Sequence, residues 1–127
     1  MKSEVSHPSS VYSADLDGDG DMDVLSASSE DNLVAWYENY GEGSFSDQQI
    51  ITTVADSARS VYAADLDGDS DMDVLSASPG DDKIAWYDND GTGQFGDQKI
   101  ITTSAIGASS VYAADLDNDG YPFCFIL

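Results

Sequence analysis

Three stretches of the chain place carboxylates at alternate positions: DLDGDGDMD from Asp15 to Asp23, DLDGDSDMD from Asp65 to Asp73, and DLDNDGYPF from Asp115 to Phe123. The first two hold five acids each and the third holds three, so 13 of the 25 acidic residues lie in three nine-residue windows. In a chain of formal charge -21 with only four Lys and Arg, such crowding repels itself unless a cation offsets it. A plain Asp-Gly hairpin turn spans about two to five residues and has no use for carboxylates at positions 1, 3, 5 and 9.

Calcium does have a use for them. It takes about six to eight oxygens at about 2.3 to 2.6 Å, which alternate side chains of a curled loop can supply together with a backbone carbonyl. In the first loop this predicts side-chain oxygens from Asp15, Asp17, Asp19 and Asp23, with the Asp21 main-chain carbonyl and a water completing the shell and Gly20 at the bend. The second loop repeats the set as Asp65, Asp67, Asp69, Asp71 and Asp73, with Ser70 at the bend adding strain of roughly 1 kcal/mol. The third keeps Asp115, Asp117, Asp119 and Gly120 but has Phe123 in place of the fourth carboxylate, so it is expected to bind poorly or not at all. Magnesium prefers few protein ligands and fits less well, while an EF-hand would need a Glu at position 12, where Ser26 and Ser76 stand, and flanking helices. Two bound Ca²⁺ would take the formal charge from -21 to -17.

The elements that must position these loops follow from a repeat. Val11-Tyr12 recurs as Val61-Tyr62 and Val111-Tyr112, a step of 50 residues, and 27 of 40 positions are identical between residues 11–50 and 61–100. Within the second unit SVYAADL (60–66), DVLSAS (73–78), KIAWYD (83–88) and QFGDQKIITT (94–103) read as strands rich in Val, Ile, Tyr, Trp and Thr, separated by Gly, Asp, Asn and Pro. No segment carries apolar residues at helical spacing over ten positions. The expected fold is therefore all-β, built of four-stranded antiparallel propeller blades. An irregular segment at 1–10 precedes blade one (11–60), blade two (61–110) and a partial blade three (111–127). The acidic runs fall between the first two strands of each blade, and Trp36 and Trp86 are expected to fill the space between blades.

The pattern D-x-D-x-D-G-x-x-D between two strands of a repeated blade resembles the FG-GAP or VCBS repeats of the integrin alpha-chain propeller and of many secreted microbial proteins. The resemblance covers residues 10 to about 120. It implies a propeller, usually of about seven blades, with calcium held in loops at one end. It also implies an extracellular or secreted setting and a role in adhesion, in glycan binding or as an accessory to an enzyme.

Two and a half blades leave open edges and faces, so either self-association through them or a place within a longer propeller is expected. The acid excess argues against nucleic acid and anionic membrane as partners. The opening MKSEVSHPSS has no apolar core of a signal peptide, the terminal FCFIL is too short to span a bilayer, and Cys124 alone forms no internal bridge. His7 is the sole histidine, and no serine elbow, Cys and His pair or phosphate-gripping glycine loop accompanies it, so no enzymatic activity is expected. The leading expectation is a calcium-stabilised interaction or adhesion module. The alternatives are a lectin-like binder using Trp36, Tyr37, Trp86 and Tyr87, and an accessory piece of a larger secreted enzyme.

Overall fold

A computed structural model describes residues 7–115, 117–120 and 123–126, the last four as backbone. Most of the segment expected to be irregular, residues 1–6, and the ends of YPFCFIL at Tyr121, Pro122 and Leu127 lie outside the described residues. Ten strands and no helix are found among the described residues. The first sheet runs β1 (Pro8–Ala14), β2 (Asp23–Ser28), β3 (Leu33–Tyr37) and β4 (Gln49–Thr52), and the second β5 (Ser60–Ala64), β6 (Asp73–Ser78), β7 (Lys83–Tyr87) and β8 (Lys99–Thr102). Each is antiparallel with neighbours in sequence order, and β9 (Val111–Ala114) pairs with β10 (Phe123–Ile126) in a third, two-stranded sheet.

The two full sheets share one register. Tyr12 faces Leu25 and Leu25 faces Trp36 in the first, as Tyr62 faces Leu75 and Leu75 faces Trp86 in the second. Near-identical sequences reach the same pairing because a one-residue slip would move every apolar side chain to the opposite face. Among the described residues no helix is long and apolar enough to cross a membrane.

Two expectations about boundaries are corrected. Strand β1 starts at Pro8, three residues inside the segment expected to be irregular, with a bulge between Pro8 and Ser10. Proline is tolerated there because β1 is an edge strand whose outer side needs no N–H, and Ser9 Oγ anchors the start by donating to the Ala58 carbonyl at 2.6 Å. The fourth strand, expected over 94–103, is split into a bridge between Phe95 and Asn89 and the four-residue β8. The chain bends at Asp97 between them, and the Gly96 N–H donates to the Asp88 carbonyl at 2.8 Å beside the bridge.

The sheets pack face to face. Between the first and second lie Leu16, Leu25, Val34 and Trp36 from one side and Val61, Val74 and Tyr87 from the other. Between the second and third lie Leu75, Ala77, Ile84, Ala105 and Ala108, meeting Val111 and Ala113. Strand β6 is covered on both faces and all six of its residues are buried. Alternation in β5 sends Val61 and Ala63 back to the first sheet and Tyr62 and Ala64 forward to the third. These blade contacts are the core, and they hold the β1–β2, β5–β6 and β9–β10 loops on the same end of the stack.

Candidate metal centres in the acidic loops

Each loop is curled by its own carboxylates. In the first, Asp15 accepts the Gly18 N–H on one oxygen at 2.8 Å and the Gly20 N–H on the other at 2.9 Å, while Asp19 accepts the Asp21 N–H at 2.8 Å. In the second, Asp65 accepts from Gly68 at 2.7 Å and Ser70 at 2.9 Å, and Asp69 from Asp71 at 2.9 Å. The third retains part of the pattern, Asp115 accepting from Asp119 at 3.2 Å and Gly120 at 2.9 Å. These short-range bonds are the habit of Asp in turns, and they aim successive side chains into one concavity. The bend needs a left-handed residue, with φ +93° at Gly20 and +91° at Gly120. Ser70 is held at +75°, the strained position expected from sequence.

Among the described residues the result is three groups of converging carboxylates. Asp65, Asp67, Asp69 and Asp73 each present an oxygen, and these oxygens all lie within 4.8 Å of one another. Ligands on opposite sides of an ion with bonds of about 2.4 Å are about 4.8 Å apart, so these oxygens are close enough together to share one cation of that size. Asp15, Asp17 and Asp19 converge likewise in the first loop, and Asp115, Asp117 and Asp119 in the third. Asp23 stands apart from the first group, and the carboxylates of Asp21 and Asp71 lie outside all three, where the expected contribution was a backbone carbonyl.

Asp23 and Asp73 brace their loops from within. Each is fully buried, and its two oxygens accept backbone N–H groups from both sides of the loop: Leu16 at 2.7 Å and Asn39 at 2.9 Å for Asp23, Leu66 at 2.9 Å and Asn89 at 3.0 Å for Asp73. Burial raises the Asp73 carboxyl above the ordinary carboxylate range, and the two N–H groups oppose that rise. Desolvation inside the curl, with the charges of Asp23, Asp19 and Glu38 adding, pushes Asp17 up to about 6. Desolvation, the Asp69 side chain and the Asp73 charge do the same to Asp67, also to about 6.

Sequence reading missed one participant. Asn89, 1% exposed, donates from its amide to the Leu16 carbonyl at 2.7 Å and the Met72 carbonyl at 2.9 Å, tying the first loop to the second across the blade boundary. Its side-chain oxygen accepts the N–H groups of Gly91 at 3.0 Å and Gly93 at 3.2 Å. The available signal was the identity of Asn39 and Asn89 at the 50-residue step.

The aromatic residues expected as ligand contacts are placed differently from one another. Trp36 is 3% exposed and Tyr87 fully buried, both inside the first inter-blade core, which removes them as stacking surfaces. Tyr37 is half-buried and accepts a hydrogen bond from Gln48 at 3.1 Å, and Trp86 is half-buried beneath the Lys99 ammonium at 4.6 Å. A cleft of about 540 Å³ instead opens beside the loops, lined by Tyr12, Tyr62, Met22, Met72 and Asn89. Tyr12 and Tyr62 stand 4.7 Å apart at its edge. His7 is exposed, with its Nδ1 2.9 Å from Glu30.

Comparison with known proteins places this geometry. The model of a family described as FG-GAP-like repeat matches residues 15–76 and 65–122. A solved structure of an Agrocybe aegerita lectin, described as specifically recognising non-reducing terminal N-acetylglucosamine, superposes with a TM-score of 0.63 at 23% identity. The match covers 88% of this chain and 31% of the lectin chain, so the chain spans about a third of that protein's length. At this identity the likeness concerns the fold, a β-propeller-like stack of blades. No curated protein matches the chain.

Proposed function

The chain belongs to the FG-GAP-like repeat family, and from that premise we propose that it is a calcium-held, non-catalytic blade module serving extracellular interaction or adhesion. The observation that carries this reading is the convergence of Asp65, Asp67, Asp69 and Asp73 within 4.8 Å at the end of a matched repeat. Asp15, Asp17 and Asp19 would hold a second ion, with backbone or water oxygens making up the shell. Calcium would offset the repulsion among these carboxylates and lock each β-hairpin, because an ion bound only by the folded state stabilises it by mass action. Carboxylates that hold an ion are kept ionised and do not serve as general acids.

The test is thermal unfolding in chelator and in millimolar calcium at two pH values. At pH 7 calcium should raise the melting temperature. Asp17 and Asp67 rise from 3.8 to about 6 on folding, so the folded chain holds protons that the unfolded chain has released. Their contribution is fully present below pH 3.8 and lost as pH rises through about 6. The chelated chain should thus gain stability from these two groups between pH 7 and 5. The calcium-dependent gain should shrink over the same interval, since the ligands must be ionised to bind. Equal melting in chelator and calcium at pH 7 would overturn the reading.

A second reading, a lectin-like module, is favoured by the fold neighbour's recognition of a sugar and by the tyrosine-lined cleft. A glycan panel separates the two: calcium-dependent retention of one sugar, lost in Tyr62→Ala, selects it.

A further inference from the structure

The 50-residue register places a tyrosine on the first strand of each sheet: Tyr12 on β1, Tyr62 on β5 and Tyr112 on β9. The three are unevenly spaced. Tyr12 and Tyr62 have ring centroids 4.7 Å apart and planes tilted by 45°, whereas Tyr62 and Tyr112 stand 6.5 Å apart, edge to face at 72°. The closer pair is also joined by a hydrogen bond between its side chains. That bond, burial and the Tyr62 charge together raise the Tyr12 phenol above its ordinary range. A hydroxyl contact between rings at this separation brings the ortho carbons, which flank each hydroxyl, close together. A carbon–carbon bond at those positions sets two centroids one bond length and two ring radii apart, slightly nearer than they now stand. Its preferred twist lies between flat and perpendicular, as the 45° tilt already does. Both rings are half-buried at the edge of the cleft of about 540 Å³, where a small oxidant has access.

We propose that Tyr12 and Tyr62 are a dityrosine-forming site, at which a one-electron oxidant of the peroxidase or photo-oxidised metal-complex class closes a covalent lock between the first two blades. Each phenol gives one electron to an equivalent of oxidant and one proton to water, leaving two phenoxyl radicals. Their unpaired electrons, delocalised onto the ortho carbons, pair to form the carbon–carbon bond. The ring hydrogens at that bond then pass through solvent to the phenoxyl oxygens, restoring both aromatic rings and both hydroxyls. In balance, two electrons and two protons leave the chain and no oxygen is added. Contact selects the pair, because bond formation needs two radicals side by side. Tyr40, at 62% exposed, is the more accessible phenol, but accessibility alone leads to links between chains, which dilution suppresses. The lock would tie β1 to β5 across 50 residues of chain. A cross-link of that kind stabilises mainly by restricting the unfolded chain, and it does so with or without calcium. Cys124 is the sole cysteine, so no disulfide within the chain supplies such a tie.

Photogenerated tris(bipyridine)ruthenium(III), with persulfate as terminal electron acceptor, tests this on the dilute full chain in calcium. The monomer should lose two hydrogens in mass and gain dityrosine fluorescence. Trypsin, which cuts at Arg59 between the two residues, should then release one cross-linked peptide pair joining Tyr12 to Tyr62. Tyr12→Phe and Tyr62→Phe should each lose that pair, while Tyr40→Phe and Tyr112→Phe keep it. In urea its yield should fall roughly tenfold, because only the 50-residue chain then holds the rings near each other. The linked monomer, freed of reagent, should melt at a higher temperature in chelator than the untreated chain. Oxygen added at Met22 and Met72 without loss of hydrogen, links only between chains, or a Tyr62 to Tyr112 link in place of Tyr12 to Tyr62 overturns the proposal. An equal yield in urea, or a linked monomer that melts no higher, overturns it as well.

Discussion

Asp73→Ala should destabilise the chain with or without calcium, by about 2 to 6 kcal/mol. The carboxylate is buried and accepts the N–H groups of Leu66 and Asn89. Its loss leaves two donors inside the fold without a partner, at about 1 to 3 kcal/mol each. Against a stability of about 5 to 15 kcal/mol for a typical domain, that is enough to unfold much of the population at moderate temperature. Asp69→Ala makes the contrast. That carboxylate is exposed, and its partners, the Asp71 N–H and the Asp67 side chain, lie within its own loop, so the variant should melt close to the parent in chelator. It should lose the gain conferred by calcium at the second site, about 2.7 kcal/mol at a hundredfold excess over the dissociation constant. Melting curves of both variants in chelator and in calcium check the pair. Asp73→Ala melting like the parent in chelator would show that the brace is not structural.

The second large effect is expected at Gly93. This residue has φ +83°, and a Cβ there would sit 2.4 Å from the Trp36 ring. Trp36 is held in the core on its other sides, so the ring has little room to move. Overpacking a core in this way costs about 1 to 3 kcal/mol, and the left-handed backbone adds about 1 kcal/mol for a residue bearing a Cβ. Gly93→Ala should therefore lose about 2 to 4 kcal/mol. Gly43, its counterpart one repeat earlier, has φ +80° and nothing within 4 Å of the same point. Gly43→Ala should lose only the backbone share, about 1 kcal/mol. Denaturant unfolding of the two variants reads the difference directly, and equal losses would mean that Trp36 does not pack on Gly93 as described.

The Gly43 and Gly93 pair also indicates how far the sequence could be read. The period, the strand type, the antiparallel order and the loops between first and second strands were all legible, because Val, Ile and Trp alternate and Asp and Gly cluster at a fixed 50-residue step. Identical residues in identical local sequence nonetheless meet different surroundings. AWY occurs twice, yet Trp36 is covered by the following blade while Trp86 has Lys99 above it. Exposure here is set by which blade follows, a property of position in the stack that local pattern does not contain. The same holds for Asp23 and Asp73. Both were legible as ligands from spacing, but their work as acceptors for Leu16, Asn39, Leu66 and Asn89 depends on the β3 and β7 ends reaching the loop. The fourth strand was read as too long because Ile and Thr mask the bend at Asp97 inside QFGDQKIITT.

We propose that the aspartate loops capture calcium and are held folded by it. Calorimetric titration of calcium into the chelated full chain tests it most directly. Saturable binding of one ion in each of the first two loops is expected. Asp69→Ala should lose one of these, and Asp19→Ala combined with Asp69→Ala should lose both. Absence of binding heat up to millimolar calcium, or a binding curve unchanged in the double variant, would contradict it.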